Sequence, residues 1–342
     1  MSEFLKRTWA EIHLDRLQGN FQAIQASLAP GSQAMAVVKA DGYGHGAAAA
    51  AKALREAGAA WFGVSNLEEA VQLRRAGIDG DILILSFTPP EEAGRLAEFA
   101  VTQTVLSRPY AAAQAAGVRV RVHLKVDTGM SRVGFLYHRE GDEAVLDDMA
   151  AACRLPHLTA EGIFTHFASA DEEEDGGFTR RQFALFMDAV RRLEERGVSF
   201  ALRHCCNSAA TLRYPEMHLD MVRPGIILYG LSPAPWMEGM LPLDPVMELK
   251  TTVSMIKDLP ADTPVSYGRI YTTGEARRVA TVPIGYADGY PRVLSNRADM
   301  LLAGRRVRVV GRVCMDQCML DVTGLDVRES MVATVFGRDG EA

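Results

Sequence analysis

The sequence predicts an α/β protein: a (β/α)8 TIM barrel over residues 1–232, followed by a mostly β C-terminal domain over residues 233–342. Three observations carry that prediction. Short apolar runs alternate with helix-period segments through the first two-thirds of the chain. A proline-rich stretch then interrupts the alternation, and the sequence beyond it is strand-like with little helical periodicity. At 342 residues the chain is also too long for one ordinary domain and short for three.

The expected barrel strands fall at 35–38, 61–64, 82–86, 102–106, 119–126, 159–165, 200–204 and 219–222. Helical stretches separate most of them. Those at 47–57, 67–76 and 178–196 each stop at a glycine, a C-terminal cap signal. Strand and helix alternating imply a parallel sheet, and eight such units in about 230 residues suit a closed barrel. An open doubly wound sheet is the alternative, but no G-x-G-x-x-G follows the first strand. The segment "LSPAPWMEGMLPLDP" holds four prolines in fifteen residues and reads as a linker. After it, "VMELKTTVSMIKDL", "RRVATVPIGYA", "RRVRVVGRVCMDQCMLDV" and "SMVATVFG" read as strands.

Composition narrows the function classes. A hydrophobic share of 48% and a charged share of 23% are those of a soluble globular chain. The net charge of −6 and the absence of a basic run give no support for nucleic-acid binding. No apolar run reaches membrane-spanning length and "MSEFLKRTWAEIHLD" lacks a signal core, so a cytoplasmic location is expected. The five cysteines show no metal-ligand spacing and are expected to be reduced, with no metal site.

Barrel chemistry sits at the C-terminal ends of the strands. "AMAVVKADGYGHG" puts Lys39 at the exit of the first strand, with Tyr43 behind it. Such a lysine either extends its amine to water or is a partly desolvated amine able to act as nucleophile or base. Asn207-Ser208 and Gly225-Ile226 follow strands seven and eight, where backbone N–H groups and a hydroxyl suit a phosphate. A lysine, a phosphate cradle and a ring-sized apolar space together point to pyridoxal 5′-phosphate on Lys39.

At this level of detail the sequence resembles the bacterial alanine racemases. "AVVKADGYGHG", "KVDTGMSRVGF", "EGIFTHFASAD", "NSAATLR", "MVRPGIILYGL", "VSYGRIYTT", "VPIGYADGYPR" and "GRVCMDQCMLDVT" match that family's motifs in order, over almost the whole chain. The resemblance implies interconversion of L- and D-alanine by two bases, supplying D-alanine for peptidoglycan. It makes Lys39 the cofactor lysine and one base. Tyr267, delivered by the second domain of a partner subunit in a homodimer, is the other. His166 and Arg223 stand behind Tyr267, and Arg223 also faces the pyridine nitrogen. With Lys39, the residues Tyr43, His166, Asn207, Ser208, Arg223, Gly225 and Ile226 bind the cofactor; Arg132 and the Met315 backbone bind the substrate carboxylate. Lys125 is the candidate for carbamylation. Asp171, His204, Tyr286, Arg292 and Arg312 line an access corridor. Family members continue past the point matched by "GRDGEA", so the C-terminal end is expected to be truncated relative to them. Racemisation of serine, decarboxylation by the same cofactor, and a non-catalytic cofactor carrier are the competing functions. The second domain, with Tyr267 and Met315, disfavours the carrier.

Overall fold

The computed structural model describes residues 7–114 and 117–338. The chain divides into two compact units. One is Leu14–Val246; the other joins the N-terminal segment through His13 to the chain from Met247 onward. The division follows from strand pairing. β1 (Thr8–Ile12) is antiparallel to the strand that starts at Met247, so the N-terminal segment belongs with the β unit. The proline-rich stretch belongs to the other unit: Asp244 there is held by Asn20, and Trp236 donates to the Asp171 carbonyl. The expected 232/233 boundary is therefore replaced by 246/247 and an N-terminal crossover.

Leu14–Val246 is the barrel. Its parallel strands are β2 (Gln33–Val37), β3 (Trp61–Val64), β4 (Asp81–Ile84), β5 (Thr102–Val105), β6 (Val120–Asp127), β8 (Leu158–Phe164), β9 (Leu202–His204) and β10 (Met221–Val222), with the short β7 (Phe135–Leu136) beside β6. Neighbours pair in that order and β10 pairs with β2. The last gap is bridged by two backbone hydrogen bonds, Asp220 N–H to the Arg203 carbonyl and Arg223 N–H to the Cys206 carbonyl. Between the strands stand α3 (Ala47–Glu56), α4 (Leu67–Arg75) and α8 (Phe178–Glu195), among others. The strands are almost wholly buried because helices cover one face and barrel side chains fill the other.

The β unit is one antiparallel path of eight strands, with a separate hairpin formed by Pro264–Val265 and Tyr271–Thr272. Its core gathers Val253, Val282, Ile284, Met300, Leu302, Val309 and Leu320. Among the described residues the cysteines are all free, with Cys205, Cys206 and Cys318 buried. No helix there is long and apolar enough to cross a membrane.

Gly230 ends the turn that follows the Gly225-Ile226 loop. Its φ is +80°, and a β-carbon there would lie 1.9 Å from the Asp244 carbonyl oxygen. Gly230→Ala should cost about 3 kcal/mol, from overpacking plus left-handed strain. Urea unfolding followed by far-ultraviolet circular dichroism measures this, and a loss below about 0.5 kcal/mol would contradict the packing.

Candidate active site

A cavity of about 580 Å³ opens at the C-terminal ends of the barrel strands. Its lining carries Lys39, Lys125, Arg132 and Arg223 against one carboxylate, Asp171. Tyr43, His166, Asn207, Ser208, Gly225 and Ile226 complete the polar wall, and Val37, Leu85, Val133 and Phe164 the apolar one.

Lys39 is presented by a turn of opposite hand to an ordinary helix. In α2 (Lys39–Tyr43), Ala40, Asp41 and Gly42 have φ of 53°, 52° and 63°, and Tyr43 follows at 54°. Left-handed backbone costs roughly 1–2 kcal/mol for each residue with a side chain. Neighbours hold it in place. Ala40 N–H donates to Glu69 Oε1 at 2.8 Å, and Ala47 N–H to Asp41 Oδ1 at 2.8 Å. The other Glu69 oxygen accepts from Ser65 N–H at 2.7 Å. Burial, then the charges of Arg132 and Arg223, lower the Lys39 pKa, with Glu69 opposing them.

Arg223 is buried and makes no ion pair among the described residues. Its guanidinium donates to His204 Nδ1 at 2.7 Å, to the Thr165 carbonyl at 2.7 Å, to the Cys205 carbonyl at 3.1 Å and to His166 Nδ1 at 3.3 Å. Burial brings its pKa down to about 10, which leaves it charged at neutral pH. His166 is held well below the usual histidine value by burial and by the surrounding cations, Arg223 first. It is therefore neutral, with Nδ1 as the acceptor.

Arg132 lies in a loop wrapped around one carboxylate. Asp127 accepts from the backbone N–H groups of Gly129, Ser131 and Arg132, each at 3.0 Å. Lys125 is buried beside that loop and donates to the Val126 carbonyl at 2.8 Å. Opposite, Asn207 caps α9 (Ser208–Arg213) by accepting from Ala210 N–H at 3.0 Å. The Ser208 hydroxyl accepts from Gly225 N–H at 2.9 Å. A β-carbon on Gly225 would lie 2.4 Å from the Tyr43 hydroxyl, so only glycine keeps that corner open.

The β unit gathers the remaining candidates. Tyr267 is 68% exposed in its hairpin loop, behind Ser266, whose φ of 66° is left-handed. The Ser266 hydroxyl donates to the Arg312 carbonyl at 2.7 Å. Tyr286 N–H donates to the Cys314 carbonyl at 3.0 Å, and Ala287 N–H to the Met315 carbonyl at 2.8 Å. Val313 N–H reaches Ser295, whose hydroxyl donates to the Arg292 carbonyl. One hydrogen-bonded set of loops thus carries Tyr267, Tyr286, Arg292, Arg312 and Met315.

Residues 12–233 match the family profile "Alanine racemase, N-terminal domain", and residues 246–342 match "Alanine racemase, C-terminal domain". The chain belongs to the alanine racemase family. Its activity is accordingly racemisation of alanine. It is 50% identical to the alanine racemase of Desulforamulus reducens, over 96% of this chain and 90% of that relative. It is 46% identical to that of Desulfovibrio desulfuricans, over 94% of this chain and 87% of the relative. Among solved structures, the alanine racemase of Bacillus anthracis with bound L-Ala-P superposes with a TM-score of 0.92 at 36% identity. That match covers 100% of this chain and 88% of the other.

The barrel brings eleven sequence-predicted residues to one cavity: Lys39, Tyr43, Lys125, Arg132, His166, Asp171, Asn207, Ser208, Arg223, Gly225 and Ile226. The expected place of His204 is corrected. It is fully buried beneath Arg223, stacked on Phe164 with ring centroids 4.8 Å apart, and so lines no corridor. Asp171 is exposed and lines the cavity. The chain's last four residues, where truncation relative to the family was expected, lie outside the described residues. Sequence reasoning missed Glu69, Asp127 and Phe164. Asp127 was visible as the carboxylate opening "DTGMSR", a turn signal; Glu69 and Phe164 gave no local sign.

Lys125 yields a pH test. Burial, then the Arg223 charge, brings its pKa from 10.5 to about 7. Between those values the unfolded chain holds the proton and the folded chain has released it, so stability rises with pH across that window. Below about 7 both states are charged and the burial penalty is fully present. In CO₂-free buffer, Lys125→Met should stabilise the protein below pH 7, and the gain should shrink toward pH 10.5. Urea midpoints of both proteins against pH measure it; a gain independent of pH would refute the assignment.

Proposed function

We propose that the chain racemises alanine with pyridoxal 5′-phosphate held in the barrel mouth, using Lys39 of one subunit and Tyr267 of the partner subunit as opposed bases. The observation that carries this is the cation-rich cavity with a partly desolvated lysine in its wall. Four basic side chains against one carboxylate suit a guest with a phosphate, joined by a substrate with a carboxylate. The open corner between Gly225, Ser208 and Tyr43 fits the phosphate, since a single β-carbon would fill it. When bound, the cofactor supplies an electron sink that makes the substrate α-proton removable.

This chain's own residues do the rest. Lys39 is the covalent anchor, and its lowered pKa favours the neutral amine that a base requires. The Tyr267 hydroxyl of the partner subunit serves the opposite face, because racemisation takes a proton from one side and returns one to the other. Arg223, charged at neutral pH, would meet the ring nitrogen of the bound cofactor as a donor that keeps its own proton. That limits electron withdrawal and so restrains transamination. Arg132 and the Met315 backbone of the partner subunit orient the substrate carboxylate. Lys125, half neutral near pH 7, is in the form that adds CO₂ and releases one proton. The resulting carbamate is an anion that pairs with Arg132. The homodimer works in the cytoplasm and supplies D-alanine for peptidoglycan.

Purified protein should absorb near 420 nm, roughly where a lysine-bound cofactor does, and should racemise either enantiomer of alanine. Lys39→Ala should lose the borohydride-fixed adduct; an adduct on another lysine would sink the assignment. Lys39→Ala and Tyr267→Phe chains should each be nearly inactive alone. Co-expressed, about half the dimers are hybrids, and about one quarter of all sites regain both bases. Recovery toward that fraction supports the shared site. Activity unchanged from the separate mutants, with hybrids demonstrated by mass spectrometry, places both bases in one chain.

A further inference from the structure

The hydrogen bonds beneath Arg223 do not stop at His204. His204 Nε2 lies 2.9 Å from His123 Nδ1, and both rings are fully buried. His123 Nε2 faces Glu161 Oε2 at 3.8 Å. Neither of those two atoms has a hydrogen-bond partner among the described residues. Glu161 is anchored on its other side by Arg121 at 3.5 Å, which in turn pairs with Asp81 at 2.7 Å. A row of polar side chains thus runs through the barrel core, from the cavity floor toward the opposite end.

Donor chemistry fixes the direction of this row. A guanidinium only donates, so His204 Nδ1 must accept from Arg223. A neutral His204 then carries its proton on Nε2 and donates it to His123 Nδ1. His123 in turn carries its proton on Nε2, aimed at the Glu161 carboxylate. Both histidines are held below the ordinary value, chiefly by burial, which agrees with neutral rings.

The backbone is shaped to permit this row. The β6–β8 register slips at one place, between Val122, paired with Ala160, and His123, paired with Gly162. Glu161 is the extra residue of that bulge, a device that re-aims a side chain. At Gly162 a β-carbon would lie 2.6 Å from the His123 ring, so the ring occupies the space a side chain would take.

We propose that His123 and Glu161 are positioning residues of the racemase site: Glu161 sets the tautomer of His123, His123 that of His204, and His204 the plane of the Arg223 guanidinium. The consequence for turnover rests on the reading of Arg223 as the partner of the cofactor ring, whereas the tautomers do not.

The test begins with ¹⁵N-histidine-labelled wild-type protein, with and without added cofactor, and long-range ¹H–¹⁵N correlation spectra. His123 and His204 should both appear as neutral Nε2–H rings. A charged ring, or an Nδ1–H tautomer at His204, overturns the proposal whatever the cofactor does. Three variants follow. His123→Phe removes the acceptor for His204, and kcat for alanine should fall on the order of 10²-fold, with KM changed much less. His123→Asn places an amide oxygen near the Nδ1 position and should restore the His204 tautomer and most of kcat. Glu161→Gln should let His123 populate the Nδ1–H form and lower kcat in proportion, which keeps the test open if His123→Phe does not fold. Equal loss in His123→Phe and His123→Asn with an unchanged His204 tautomer assigns His123 a packing role and overturns the proposal. A shifted His204 tautomer with unchanged kcat overturns the reading of Arg223, and this proposal's claim on turnover with it.

Discussion

The Arg223 guanidinium is buried in the barrel with two histidines and two backbone carbonyls as its hydrogen-bond partners, none of them charged. Burying an uncompensated cation is costly, and truncating what holds it would be costlier. Much of the surrounding structure follows from accommodating it. His166 and His204 are kept neutral by burial and by its charge. Phe164 lies under Arg223, under Lys125 and against His204. Lys125 and Lys39 are both pushed toward neutrality, with Arg223 contributing to each. The cavity therefore gathers cationic and partly neutralised groups with a single carboxylate, Asp171, in its lining.

The candidate site residues of both units are presented by backbone held in costly conformations. The left-handed turn after Lys39 persists because Glu69 accepts the Ala40 N–H and the turn's own Asp41 carboxylate accepts the Ala47 N–H. The Arg132 loop closes around Asp127, which receives three backbone N–H groups. In the other unit, Ser266 holds a left-handed conformation while its hydroxyl binds the Arg312 carbonyl. In each case a candidate site residue, Lys39, Arg132 or Tyr267, stands beside a left-handed residue, Ala40, Ser131 or Ser266, that neighbours hold in place.

The candidate residues are divided between the two units. The barrel holds the lysine, the cation field and the open corner. The β unit presents Tyr267 and Met315, both exposed, from loops tied together by backbone hydrogen bonds.

All eight barrel strands and the glycine-terminated helices were legible in the sequence, because their signals are local: apolar runs of strand length, helical period and caps. Most polar residues of the cavity were legible too, since barrel chemistry gathers at strand ends; Lys125, inside β6, and Asp171 came only from the family resemblance, and Phe164 from neither. The place of Thr8–Ile12 was not, because nothing in five residues says which of two sheets offers an open edge. Nor was the burial of His204, whose position at the end of a strand suits a wall or a core equally. Whether a histidine meets solvent, an arginine or another histidine depends on residues tens of positions away: His123, Phe164 and Arg223 here. Sequence alone determined which groups reach the barrel mouth. Tertiary structure decided their charge and tautomer, because desolvation and the direction of a hydrogen bond exist only once distant strands are side by side.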